Sequence, residues 1–174
     1  MLRELALHIL DLVENSIAAG ATRVTIEVIE DARADRLTIR VADNGRGMDA
    51  DLAARVADPF VTTRATRRVG LGLPFLKQAA ELCNGALTID SAQGDGTTVT
   101  ATFQNSHIDR MPMGDLPGTI LTLVVGNPQV DFVYRHVVDG KTYEFDTRPI
   151  KQELGAVALS EPEVIAYLKE ALQE

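Results

Sequence analysis

Asp11 and Asn15 stand four residues apart, a spacing that stacks two side chains one turn above each other on one helix face. Glu4 and His8 share that face, while the apolar residues of the segment lie elsewhere. A carboxylate and a carboxamide so placed suit oxygen ligation of a hard cation such as Mg2+. That ion takes few protein ligands and completes its octahedron with water and phosphate oxygens. Asparagine is a poor mid-helix residue, because its amide competes with the backbone, so a functional reason competes here with a plain solvated polar face. His8, one turn before Asp11, is a candidate for the phosphate side of the same site.

Three further blocks follow in order: Asp43-Asn44-Gly45-Arg46-Gly47, Val69-Gly70-Leu71-Gly72-Leu73 and Gly94-Asp95-Gly96-Thr97-Thr98. Glycines at the first spacing let backbone approach a planar ligand, and the Asp43 carboxylate can accept a hydrogen bond from an exocyclic base amine. An ordinary hairpin turn is the alternative for that block alone. Gly70 and Gly72 open a helix, where free amide hydrogens and the helix dipole favour phosphate. Position 75 is Phe75, so this is not the dinucleotide fingerprint with its third glycine, and no strand leads directly into the turn. Arg64, Arg67 and Arg68 gather positive charge just before it. A basic loop beside a phosphate site has the character of a closing lid; solvated surface arginines are the competing account.

The elements that must position these residues follow from periodicity. Apolar residues at 2, 5, 9, 12, 13 and 17 predict a half-buried helix over 2–19, ended by Gly20. Runs over 23–30 and 37–42 read as an antiparallel strand pair, 50–56 as a short helix and 58–69 as a loop. Helical spacing returns over 73–82 with Pro74 in the first turn. Residues 86–90 and 97–103 read as two strands around a Gly-Asp-Gly turn. Residues 105–117 are polar and aperiodic, the pattern of a linker. Beyond them come a helix over 116–125, a hairpin flanking Asp139-Gly140 and a helix over 161–172 capped by Ser160. The division expected is a domain over 1–104, a linker over 105–117 and an α-β-β-α appendage over 118–174, suited to covering the sheet or docking a partner.

Composition bounds the function. The 174 residues, 45% hydrophobic, suffice for a sizeable core. A net charge of −8 and the absence of Trp argue against phosphate-backbone binding and base stacking. The single cysteine, Cys83, excludes an internal disulfide and is expected to be inert packing in a reducing compartment. No apolar run approaches the roughly 20 residues of a membrane span. A cytoplasmic protein without membrane or nucleic-acid partners is expected.

Taken together, the four blocks resemble the ATP-binding domain of the GHKL or Bergerat-fold superfamily, which includes gyrase, heat-shock chaperone ATPases, histidine kinases and MutL. The resemblance covers roughly residues 2–103. Leu12-Val13-Glu14-Asn15-Ser16-Ile17 is similar to the MutL form of the first box, whereas Asp58-Pro59-Phe60-Val61-Thr62-Thr63-Arg64 and Gly70-Leu71-Gly72-Leu73 resemble the histidine-kinase form of the later ones. The resemblance implies an α+β fold, a two-layer sandwich with an antiparallel-rich mixed sheet covered by helices. It implies Asn15 as the Mg2+ ligand and Asp43 as the adenine reader. Gly45, Gly47 and Met48 would border the base, and Gly70, Leu71, Gly72 and Leu73 the phosphates, joined by Thr63, Arg64, Arg67 and Arg68. Thr97 would support the base. Gyrase- and MutL-like members carry a water-activating glutamate where this chain has Asp11, so Asp11 is the candidate general base. The activity implied is that of an Mg-ATP-dependent protein kinase or ATPase of the histidine-kinase or anti-sigma type. It would be a stand-alone form lacking its own phosphoacceptor hairpin and acting on a separate partner protein, with a homodimer as a candidate assembly. The alternative is a non-catalytic ATP-sensing subunit of a redox enzyme complex, to which the tail, with its similarity to small proteins associated with iron hydrogenases, points.

Overall fold

The computed structural model describes residues 4–58 and 72–173. Helix α1 (Leu5–Ala18) leads into strands β1 (Arg23–Asp31) and β2 (Arg36–Asp43), then the short helix α2 (Ala50–Arg55). Helix α3 (Gly72–Leu82), strands β3 (Ala86–Ala92) and β4 (Gly96–Gln104) and helix α4 (Leu116–Gly126) follow. Strands β5 (Asp131–Val138) and β6 (Lys141–Asp146) and helices α5 (Thr147–Leu154) and α6 (Pro162–Ala171) complete the chain.

One mixed, six-stranded sheet runs in the order β3-β4-β2-β1-β5-β6. All neighbours are antiparallel except β1 and β5, which are parallel. The expected α+β sandwich is the observed fold. Along β1 the buried residues Val24, Ile26 and Val28 alternate with less buried ones, the period of a strand with one face on a core. Those side chains join Leu5, Ile9, Leu12 and Val13 of α1 and Leu76 and Ala80 of α3 in a single cluster. The opposite face carries charge. Glu27 pairs with Arg40 at 3.3 Å and with Arg135 at 3.0 Å, and Arg135 pairs with Glu144 at 3.3 Å.

The strands of the expected appendage share this sheet, because β5 lies along β1 from Arg23↔Asp131 to Glu30↔Val138. Ile120, Leu123, Phe132, Tyr134, Leu168 and Leu172 belong to the same core cluster as α1. Residues expected as a linker are tied down: the amides of Leu5 and Ala6 donate to the carbonyls of Pro112 and Met113 at 3.0 and 2.8 Å. These bonds satisfy first-turn amides of α1 that an N-cap side chain would otherwise take, and Glu4 makes no such cap bond.

Two local expectations differ from the structure. Helix α5 was not expected; Asp146 starts it by accepting from the Arg148 amide at 2.9 Å. Helix α6 begins at Pro162 with Glu161, not Ser160, at the cap position, because proline at the first helical position needs no amide partner. At the β5–β6 turn Asp139 and Gly140 have φ of 48° and 83°, the paired left-handed conformations of the tight hairpin that Asp-Gly predicts.

Candidate functional site

Strand register places the first acidic group. Asp43 ends β2, facing Val24 of β1 on one side and Thr97 of β4 on the other. Its Oδ1 accepts from the Gly45 amide at 2.8 Å and the Thr97 amide at 3.2 Å, and its Oδ2 from the Ser16 hydroxyl at 2.6 Å. A carboxylate offers about four lone-pair sites. Three are used, and the one that remains is on Oδ2. The Ser16 hydroxyl is itself buried, 3.3 Å from the Leu12 carbonyl oxygen, so the rotamer of Asp43 is fixed from two sides.

The surrounding turns are held by equally specific contacts. Asn44 clips β2 to β1: its Oδ1 accepts from the amides of Thr22 and Arg23 at 2.8 and 2.9 Å, and its Nδ2 donates to Thr22 Oγ1. A Cβ on Gly45 would stand 2.9 Å from the Ala19 carbonyl oxygen, and the Arg46 amide donates to that same oxygen at 2.9 Å. Gly47, with φ of 69°, lies against the Ala92 carbonyl, which a Cβ would overlap. These glycines thus allow close approach to the chain's own backbone. Ser91 joins the β3 and β4 side of the site. Its hydroxyl accepts from the Met48 amide at 2.8 Å and lies 3.0 Å from the Gly96 carbonyl oxygen and 2.8 Å from Thr97 Oγ1.

On α1, Asp11 and Asn15 are both half-buried on the polar stripe that the spacing predicts. Among the described residues no hydrogen bond reaches the Asp11 carboxylate, and burial raises its pKa above the ordinary carboxylate value. Gly72, the first residue of α3, lies directly against it. His8, expected near the phosphates, is 4% exposed; among the described residues its Nδ1 has no partner, and burial holds its pKa below the usual imidazole value. Leu73, expected beside the phosphates, is a core residue at 3% exposure. Cys83 is buried as expected, with its thiol pKa pushed up by burial.

The structure therefore brings Asp11, Asn15, Asp43, Gly45, Gly47, Met48, Gly72 and Thr97 to the strand ends and helix faces around α1. Thr63, Arg64, Arg67, Arg68, Gly70, Leu71 and nearly all of the expected 58–69 loop lie outside the described residues. Sequence reasoning missed Ser16 and Ser91. Ser16 carries a signal, a hydroxyl on the apolar arc of an amphipathic helix; Ser91 carries none that distinguishes it from a surface strand serine. Among the described residues no group of three or more His, Cys, Asp or Glu could hold a metal ion, and no helix is long and apolar enough to cross a membrane.

Residues 2–107 match the model of the family described as histidine kinase-, DNA gyrase B- and HSP90-like ATPase. The heme sensor protein HssS of Staphylococcus saprophyticus is 33% identical over 95 residues, 54% of this chain and 21% of that protein. The sensor protein kinase FleS of Pseudomonas aeruginosa is 44% identical over 92 residues, 53% of this chain and 23% of its own length. The chain thus spans under a quarter of either relative. Among solved structures, the N-terminal domain of a DNA repair protein aligns with a TM-score of 0.57 at 19% identity, covering 91% of this chain and 59% of the other. The Aquifex aeolicus MutL ATPase domain complexed with ADP aligns at 0.50 and 17%, covering 98% and 70%. At those identities the likeness is one of fold.

Proposed function

The chain belongs to the histidine kinase-, DNA gyrase B- and HSP90-like ATPase family, and on that premise we propose that it binds ATP with Mg2+ and transfers or hydrolyses the terminal phosphate for a separate partner protein. The observation that carries the reading is the Asp43 carboxylate. With Oδ1 filled by two amides and Oδ2 by one hydroxyl, it presents a single fixed acceptor site. That arrangement selects a ligand with a matching donor, such as the exocyclic amine of adenine, and leaves a half-buried acceptor unpaired when a base lacks it.

Mg2+ would be held at the same site. Asn15 would supply one oxygen on the α1 stripe, and the ion would draw its remaining ligands from water and phosphate oxygens, as Mg2+ does. It would neutralise charge on the phosphates. Asp11, without a hydrogen-bond partner among the described residues and with a pKa raised by burial, is a stronger base than an ordinary carboxylate. It would accept the proton of water, or of an acceptor hydroxyl, as oxygen attacks the terminal phosphorus and the bond to ADP breaks. The charged sheet face and the net charge of −8 favour a protein partner over nucleic acid.

Calorimetric titration with Mg2+-ATP and a phosphate-release assay test this. Wild type is expected to bind and to release phosphate. Asp11→Asn should bind while losing about 10²-fold or more of the release. Asn15→Ala should bind ATP without Mg2+ dependence, and Asp43→Ala should not bind. Wild type that fails to bind Mg2+-ATP would refute the proposal.

A further inference from the structure

Gly72 bears on this site in a way that a phosphate-facing glycine would not. A Cβ built on it overlaps Asp11 Oδ2 and stands 2.9 Å from Asp11 Cγ, and the three nearest atoms outside its own helix and chain neighbours all belong to Asp11. The obstacle is thus one side chain, that of Asp11. Gly72 cannot retreat, because the residues after it anchor α3 in the core: Leu73 is 3% exposed, and Leu76 and Ala80 are fully buried. The backbone of α1 is equally fixed, with Leu12 and Val13 buried beside Asp11. No hydrogen bond among the described residues holds the carboxylate. Its place is set by the space that the missing Cβ leaves.

We infer that Gly72 is a positioning residue for Asp11: the absence of a side chain at the start of α3 is what seats the Asp11 carboxylate on the α1 stripe, one turn from Asn15. The inference rests on the ATPase reading for its consequence and on steric contact alone for its geometry. Because Asp11 Oδ2 is the end of a rotatable side chain, a methyl at position 72 moves the carboxylate to another rotamer and leaves the fold intact. Asp11 then faces away from the site, although Asn15, Asp43, Gly45, Gly47 and Thr97 are unchanged.

The test compares wild type, Gly72→Ala and Asp11→Ala by thermal melting, Mg2+-ATP titration and phosphate release, with the Asp11 carboxyl followed by NMR titration. Gly72→Ala is expected to melt with wild type and bind Mg2+-ATP within about twofold of it, with kcat for phosphate release reduced about 10²-fold, the value of a displaced base. The Asp11 titration midpoint should move down toward that of an ordinary carboxylate as the group leaves its buried seat. Gly72→Ala in the Asp11→Ala background should leave melting, Mg2+-ATP binding and phosphate release unchanged. The inference is overturned if Gly72→Ala weakens ATP binding equally with and without Asp11, since the glycine would then serve the nucleotide. An unchanged Asp11 titration overturns it as well. The NMR arm needs no nucleotide, so a wild type that fails to bind ATP removes the proposed function and still leaves the contact between Gly72 and Asp11 decided by its own readout.

Discussion

Asp11 holds its carboxylate at a cost to the fold that fixes how stability must respond to pH. Burial raises its pKa, so ionisation is harder in the folded chain than in the unfolded one. The stability linked to this group is full below the ordinary carboxylate pKa and is lost as pH rises through the folded value. Asp11→Asn should therefore melt above wild type at about pH 7 and converge with it near pH 3, where both states are protonated. Scanning calorimetry at the two pH values checks this, and with the loss of phosphate release it marks a residue kept for function against stability. His8 has the opposite sign. Held neutral by burial, it stabilises the fold above about pH 6.5 and loses that contribution as pH falls from there toward its folded value. His8→Leu removes the Nδ1 that has no partner among the described residues, worth about 1 kcal/mol, and should flatten the fall in melting temperature as pH drops below about 6.5. At this scale the sequence exposed the acidic and amide pair through helical spacing and Asp43 through its glycine turn. It hid what holds them. Ser16 and Ser91 reach Asp43 and Thr97 across 27 and six positions, contacts that register creates and no local pattern encodes. His8 sits on the predicted polar stripe, yet packing of α1 buries it.

Among the elements, the segment between β4 and α4 sets the position of α1. Its carbonyls at Pro112 and Met113 receive the first amides of the helix, and its start is pinned to the β1–β2 turn by Asp35. That carboxylate accepts from Ser106 Oγ at 2.6 Å, the Ser106 amide at 2.9 Å and Gln104 Nε2 at 3.1 Å, and Asp35 itself takes the left-handed φ of 49°. These bonds, the Ser106 hydroxyl's first, lower the Asp35 pKa. Their stabilisation is present above the ordinary carboxylate value and is lost as pH falls through the folded one. Asp35→Ala should lower the melting temperature more at about pH 7 than near pH 2, where the protonated wild type has lost the same bonds and only the strain of Ala at a left-handed φ separates the two. It should also raise amide exchange at Leu5 and Ala6, as the segment that caps them loosens. Hairpins and long helices were legible because Asp139-Gly140 and apolar periodicity are local signals. The tie between residues 105–115 and α1 was not, since polar, aperiodic sequence looks the same whether it hangs free or satisfies another element's amides.

The whole molecule poses the question of what the residues beyond the family match contribute. The matched stretch ends at residue 107, yet β1 has two partners, β2 before that point and β5 after it. Phe132, Tyr134, Ile120 and Leu168 are fully buried, with Val130 and Leu172 at 1%. Each such side chain contributes roughly 1.5–3 kcal/mol on burial, so the six together are on the order of the entire 5–15 kcal/mol that stabilises a typical domain. A chain ending after Gln104 would also leave β1 as an open edge bearing Val24, Ile26 and Val28, the kind of edge along which chains aggregate. Such a fragment should show no cooperative melt and no Mg2+-ATP binding, although every residue assigned to the nucleotide is present in it. Phe132→Ala in the full chain tests the same dependence without truncation. It should cost about 3–5 kcal/mol in denaturant unfolding and weaken Mg2+-ATP binding by no more than the fraction unfolded. A fragment that melts cooperatively and binds nucleotide would instead make the later strands accessory to the site. Composition could not decide this: apolar faces on β5 suit a partner's surface or the chain's own sheet equally, and only the parallel register from Arg23↔Asp131 onward shows which one they meet.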